Sequence, residues 1–318
     1  MSSSTSSDDG EIAARIGATP LVDVHGLVDD DGPRLLIKHE GYNPGGSIRD
    51  RTVLEILNNA SSSGLLQGGD EVVLAGATNS AISAAMLGKA RGYKVVVFHP
   101  TGQGQHLYEQ LGSLGARLET SPPEEGMTGA VMAAVMYTEE KAGRIYIDAG
   151  RRQALTDAIH AIALELLDAL GGQPLGAFVT SISTGATLRH VAHQLRQHSP
   201  GLLVSGVRIA APAKRRSLYN DTPLKHHWAG MEGLDAEEIV VTEVDAWRMR
   251  RRAQERSALE LGPKGAAALM GALRLRKRVP ADHAIVVLSI DGGQRYTHAM
   301  PSEVAAALEH EDPWSGAF

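Results

Sequence analysis

The sequence predicts an α/β protein built on doubly wound parallel sheets. Three observations lead there. Short β-branched runs alternate with longer helical patterns along the whole chain. Several runs, such as Val-Val-Leu-Ala-Gly at 72–76, Lys-Val-Val-Val-Phe at 94–98 and Ala-Ile-Val-Val-Leu-Ser-Ile at 284–290, are apolar without alternation, the pattern of strands buried on both faces. Polar or small residues open many of the helical segments, and glycine follows several of them, at Gly64, Gly92, Gly115 and Gly171.

In chain order the strands are expected at Leu35–Glu40, Glu71–Gly76, Lys94–Pro100, Arg117–Ser121, Arg144–Asp148, Gly176–Ile182, Leu202–Ala210, Glu238–Val244 and Ala284–Ile290. Between them the helical period predicts Ser47–Asn59, Asn79–Arg91, Gly104–Leu114, Glu124–Ala142, Gln153–Leu170, Gly185–Gln197, Ala246–Ser257 and Gly265–Arg276. Such alternation implies right-handed βαβ units with helices on both sheet faces.

The composition narrows the function classes. The chain has 318 residues, room for one large domain or two coupled ones, and a net charge of −6 that points to neither nucleic acid nor an anionic membrane. With no cysteine there is no disulfide, thiolate nucleophile or Cys-based metal site. No apolar run approaches the ~20 residues of a membrane span. The 13 histidines are scattered, and the adjacent His226 and His227 have no metal-site spacing, so no metal is expected. The basic run Arg248, Arg250, Arg251 and Arg252 reads as a solvated helix face. The opening MSSSTSSDDG lacks the features of a signal peptide and reads as a disordered tail, with a cytoplasmic protein expected.

In parallel α/β sheets ligands bind where strands end and helices begin. Four such connections are rich in Gly, Ser, Thr and Asn. Asn43-Pro-Gly-Gly-Ser-Ile-Arg-Asp-Arg51 offers backbone amides and the Ser47 hydroxyl to an anion at a helix N-terminus. Gly76-Ala-Thr-Asn-Ser-Ala81 brings Thr78, Asn79 and Ser80, suited to a carboxylate or carbonyl. Ser183-Thr-Gly-Ala-Thr187 has the form of a phosphate cup. Ser289-Ile-Asp-Gly-Gly-Gln-Arg-Tyr296 follows the last strong strand. A single loop of this kind is more often a plain helix cap.

Taken in order, the four loops resemble those of the cysteine synthase and cystathionine β-synthase family: N-P-x-G-S-x-K-D-R, T-S-G-N-T-G, G-T-G-G-T and P-D-S-G-E-R-Y. The likeness runs from Ile16-Gly-Ala-Thr-Pro-Leu21 to Tyr296 and includes Ala90-Arg-Gly-Tyr-Lys-Val95. It implies the tryptophan synthase β-like fold (type II), with residues 1–10 as tail, 11–39 plus 151–318 as the larger domain, 40–150 as a smaller mobile domain, and a ligand cleft between them. It also implies a homodimer, amino-acid metabolism, and a family partner mode in which the cleft accepts a protein's C-terminal tail.

The departures fall on chemistry. Arg49 stands where the resemblance places the lysine that forms an imine with pyridoxal phosphate, and a guanidinium is no practical nucleophile. Asn79 matches the residue that contacts the cofactor ring oxygen. In the cup, Thr184, Gly185 and Thr187 match, with Ser183 and Ala186 changed. Gly292 replaces the serine that meets the pyridine nitrogen, and Leu261-Gly-Pro-Lys-Gly-Ala266 replaces G-x-S-S-G-A.

Arg49 reads either as an ion-pair partner of Asp50 or a neighbouring acid, or as a clamp for phosphate or carboxylate. Lys264 reads either as an exposed first-turn lysine or as an amine entering the site. Lys38, Asp291 and Tyr296 read as structural. Three functions stay open: an enzyme binding an amino-acid-like or phosphorylated small molecule and performing elimination, substitution or group transfer without the usual aldimine; a pyridoxal-phosphate synthase or lyase that holds the cofactor non-covalently or through Lys264, never as an aldimine of residue 49; and a catalytically silent regulatory or partner-binding homologue.

Overall fold

The structure is a computed structural model that describes residues 5–27, 31–102, 107–148, 152–212 and 233–309. His226 and His227 lie outside the described residues. The chain forms two compact units: residues 1–17 with 43–158, and residues 18–42 with 159–318.

The smaller unit carries a four-stranded parallel sheet of β3 (Glu71–Ala75), β4 (Lys94–Pro100), β5 (Arg117–Ser121) and β6 (Arg144–Tyr146), in the order β5-β4-β3-β6. One face packs on α2 (Arg49–Ser62) and α3 (Asn79–Arg91), through Val72, Leu74, Val95 and Val97 against Val53, Leu57, Ala81 and Ala85. These side chains are fully or almost fully buried, and each contributes about 1.5–3 kcal/mol of burial free energy. On the other face Phe98 meets Tyr137 of α5 (Gly126–Glu139) with ring centroids 5.4 Å apart. From β3 the chain steps outward to β4 and β5, then returns to place β6 on the far side of β3. The strand order therefore reverses between β3 and β6.

The larger unit carries β1 (Leu21–Asp23), β2 (Arg34–His39), β7 (Leu175–Ser181), β8 (Leu203–Ala210), β9 (Glu237–Thr242) and β10 (Ala284–Ser289), in the order β1-β2-β10-β7-β8-β9. All pairings are parallel except β1 with β2. The order reverses between β7 and β10, whose ends are tied by Thr180 Oγ1 donating to the Leu288 carbonyl at 2.9 Å. Helices α8 (Glu243–Ser257) and α9 (Pro263–Leu275) pack on one face. A buried ion pair fixes β2, as Lys38 Nζ donates to Glu165 Oε2 and to the Thr19 carbonyl, each at 2.5 Å. Lys38 is therefore a structural residue.

Several sequence expectations need correction. Residues 5–14 form a helix, α1, where a tail was expected through residue 10. It is held by Asp9, which pairs with Arg91 at 2.7 Å, and by Ile12, which packs on the smaller unit's core. For the same reason residues 11–17 belong with the smaller unit. Strand β1 and helix α10 (Ser302–Glu309) were not foreseen. The helix expected over Gly104–Leu114 is described only at Tyr108–Ser113, and residues 103–106 lie outside the description. The arginine run is not one solvated face either, because Arg252 is buried and Arg250 donates to backbone carbonyls of two loops. No helix among the described residues is long and apolar enough to cross a membrane.

Candidate functional site

In the smaller unit the loop before α2 is organised by a buried carboxylate. Asp50, completely buried, accepts from the Gly45 amide at 2.5 Å and from the Ser83 hydroxyl of α3. A Cβ on Gly45 would lie 2.4 Å from Asp50 Oδ1, so only glycine lets the loop close over the carboxylate. Asn43 is a second anchor. Its Oδ1 accepts from the Gly17 amide at 2.9 Å, and its carbonyl accepts from Gly46 at 2.7 Å. Ser47 is buried, and its Oγ accepts from the Arg49 amide at 3.3 Å. Two residues expected to face a ligand thus make bonds that shape the loop itself.

What the loop presents is Arg49, the first residue of α2 and only partly buried. Desolvation pushes its guanidinium pKa down, and the charge of Asp148, just beyond β6, pushes it back up. An acid acting on Arg49 is thus Asp148, 99 positions away in the chain. At the end of β3, Gly76 adopts φ +85° and donates to the Phe98 carbonyl at 2.6 Å. Thr78, Asn79 and Ser80 follow, all partly buried, with Asn79 the first residue of α3 rather than its cap. Thr78 caps that helix without a side-chain hydrogen bond. These groups stand at the carboxyl ends of β3 and β6, where the strand order reverses and α/β sheets characteristically bind ligands.

The larger unit repeats this arrangement where its own strand order reverses. After β7, Ser183 and Thr184 lead to Gly185, the N-cap of α7 (Ala186–His198), which has φ +78° and makes no side-chain cap. The first-turn amides at Ala186 and Thr187 follow this glycine, and the hydroxyls of Ser183, Thr184 and Thr187 stand beside them in the chain. That donor set fits a phosphate group. After β10, Asp291 is completely buried and accepts from Tyr296 Oη at 2.6 Å, which gives both residues a structural role. Gly292 pairs with Leu261 in an isolated bridge, and a Cβ on it would lie 2.9 Å from Gln294 Oε1 and 3.4 Å from the Gly41 Cα.

Lys264 corrects an expectation. It lies in the first turn of α9, as expected, but is only 6% exposed, because α9 is buried on nearly every side. Just before it, the Gly262 amide donates to the Asp291 carbonyl at 3.3 Å, which ties the start of α9 to the loop after β10. Among the described residues no cluster of His, Asp or Glu forms a metal site.

His39, which the sequence did not mark, closes this end of β2. Its Nδ1 accepts from the Gly41 amide at 3.1 Å, which leaves the proton on Nε2, facing the Glu260 carbonyl at 3.2 Å. Burial holds its pKa below the ordinary value of 6.5, against the opposing pull of the Glu260 carbonyl, Asp291 and Glu40. A histidine whose folded pKa is depressed stabilises the fold above its unfolded pKa. That contribution is lost as pH falls through 6.5 and below. Unfolding free energy from urea titrations should therefore fall more steeply on acidification in the wild type than in His39→Gln. Parallel slopes would assign the acid sensitivity to other groups.

Comparison with known proteins agrees with this architecture. The family model described as pyridoxal-phosphate dependent enzyme matches residues 12–291. A probable cysteine synthase of Bacillus subtilis (strain 168) is 29% identical over 301 residues, covering 88% of this chain and 94% of that protein. Cysteine synthase B of Pseudomonas aeruginosa is 29% identical over 297 residues, covering 90% and 95%. The crystal structure of O-ureido-L-serine synthase superposes with a TM-score of 0.79 at 24% identity, covering 95% of this chain and 96% of that one, a likeness of fold. Two sheets of mainly parallel strands, Gly- and hydroxyl-rich loops at their carboxyl ends and a family match over residues 12–291 lead to one conclusion: the chain belongs to the pyridoxal-phosphate dependent enzyme family, on the tryptophan synthase β-like fold.

Proposed function

We propose that this protein is a cysteine synthase-like enzyme that binds an amino-acid-like or phosphorylated small molecule and catalyses elimination, substitution or group transfer with no covalent link from residue 49 to a cofactor. The observation that carries this reading is Arg49. Its loop is fixed by Asp50, its guanidinium is partly buried, and Asp148 favours its charged form. A planar cation held there binds a carboxylate or phosphate in bidentate fashion and does not act as a nucleophile. Orientation and electrostatic stabilisation are the means such a group offers to catalysis.

The phosphate of pyridoxal phosphate fits the donors at Ser183, Thr184, Ala186 and Thr187, but position 49 does not supply the amine that would tether the cofactor. When bound, the cofactor supplies an electron sink. Gly185 keeps the cup open. Thr78, Asn79 and Ser80 orient the carboxylate or carbonyl of an amino-acid-like ligand, and the backbone at Gly292 borders the site of the larger unit.

Calorimetric titration with O-phospho-L-serine tests the reading, since this probe carries both chemistries. Binding at micromolar to millimolar concentration should weaken at least about ten-fold in Arg49→Met, the loss of one charge-assisted contact. Equal affinity in the two proteins would remove Arg49 from ligand binding.

A second reading is favoured by the burial of Lys264. In this alternative the Lys264 amine, rather than residue 49, attaches pyridoxal phosphate. Borohydride reduction in the presence of the cofactor, followed by peptide mass mapping, separates the two readings.

A further inference from the structure

Helix α8 reaches two loops of the larger unit at once through Arg250. Arg250 donates from Nε to the Leu261 carbonyl and from Nη2 to the Gly293 carbonyl, both at 3.0 Å. Its guanidinium carbon lies 5.4 Å from the ring centre of the fully buried Trp247. Burial lowers its pKa, countered by Glu260 and Tyr296.

The two carbonyls belong to different loops. Leu261 leads into α9 and Lys264, and Gly293 follows β10 and Gly292. The loops also bond directly, with the Gly293 amide donating to the Glu260 carbonyl at 2.8 Å and the Gly262 amide to the Asp291 carbonyl at 3.3 Å. His39 Nε2 adds a third tie to the Glu260 carbonyl. The fit leaves no slack, because a Cβ on Gly293 would lie 3.0 Å from the Leu261 carbonyl oxygen and 3.2 Å from Arg250 Nη2. A rigid planar fork can reach two carbonyls on separate segments at once, whereas a lysine ammonium on a flexible stem cannot reproduce that geometry.

We infer that Arg250 is the positioning residue of this loop pair: it sets where the first turn of α9, and with it Lys264, sits against the loop after β10. The inference rests on the proposed reading of these loops as ligand-binding, but its geometry concerns this chain's own amine. Arg250 touches no ligand in this account and acts through Leu261 and Gly293. Loss of two charge-assisted hydrogen bonds should raise local opening of this loop pair at least about ten-fold.

The test labels lysines with acetic anhydride and follows each site by peptide mass spectrometry. In the wild type, Lys264 should react slowly relative to the exposed Lys141 and Lys277. In Arg250→Ala, labelled well below that variant's own thermal midpoint, the rate at Lys264 should rise at least about ten-fold, with Lys141 and Lys277 unchanged. Guanidinium at low millimolar concentration should slow Lys264 again, a rescue that general loosening of the fold would not give. Should Arg250→Ala fail to fold, Arg250→Lys serves instead, with the same site-selective gain expected. Unchanged Lys264 reactivity in a folded variant, or an equal rise at all three lysines, would overturn the inference. Failure of O-phospho-L-serine to bind would count against the proposed function but leave the labelling result intact.

Discussion

Arg49→Lys should gain a property that the wild type lacks: a pyridoxal-phosphate adduct at position 49, trapped by borohydride and found in the peptide that spans the Asn43–Arg51 loop. The expectation follows from how little else the substitution changes. The loop is shaped by bonds of Asp50, Asn43, Gly45 and Ser47 to backbone amides and to the Ser83 hydroxyl. An amine differs from a guanidinium in one decisive respect, since it can lose its proton and attack an aldehyde. Partial burial favours the neutral form, and Asp148 opposes it. The same variant should bind O-phospho-L-serine more weakly, because a lysine offers a point charge where arginine offers a fork. A trapped adduct at another residue, or none, would mean that loop geometry as well as residue type had diverged.

Asp50→Ala should be the most damaging single substitution near Arg49. It removes a fully buried acceptor, strands the Gly45 amide in the interior and leaves the Ser83 hydroxyl with the Asn79 carbonyl at 3.0 Å in place of the carboxylate. One stranded donor costs about 1–3 kcal/mol and the lost Ser83 bond about 0.5–1.5 kcal/mol, so a loss of roughly 1.5–4.5 kcal/mol is expected in chemical denaturation. Asp50→Asn keeps one acceptor oxygen and should lose about half as much. Binding of O-phospho-L-serine should fall in both variants, since the loop that presents Arg49 loses its support. A stable Asp50→Ala protein with normal binding would show that Gly45 and Ser47 hold the loop by themselves.

Much of the fold was legible because its strands are buried on both faces. Continuous apolar runs marked β3, β4, β7 and β10 to within a residue or two. Elements without such a signature were missed. The three residues of β1 carry no period, and α1 is a polar segment with no apolar stripe, ordered by Asp9 meeting Arg91 and by Ile12.

In the site, the loops were legible and the partnerships were not. Glycine and hydroxyl residues after strands located all four connections, but nothing local tells that Asp148 will face Arg49. Two signals were present in the text. A helix as uniformly apolar as Gly-Ala-Ala-Ala-Leu-Met-Gly-Ala-Leu at 265–273 is buried all round, so a lysine in its first turn is buried too. Arginines at 248, 250, 251 and 252 point around a helix at 100° steps, so they cannot share one solvated face, and Arg250 and Arg252 turn inward.

The central claim is that this member of the family handles its ligand without a covalent cofactor link. The most direct measurement is borohydride reduction of the wild-type protein with saturating pyridoxal phosphate, followed by mass mapping of every lysine-containing peptide. No reduced adduct is expected on any lysine, and any bound cofactor should be released on denaturation. An adduct on Lys264 would contradict that claim and make this protein a pyridoxal-phosphate enzyme whose amine has moved from α2 to α9.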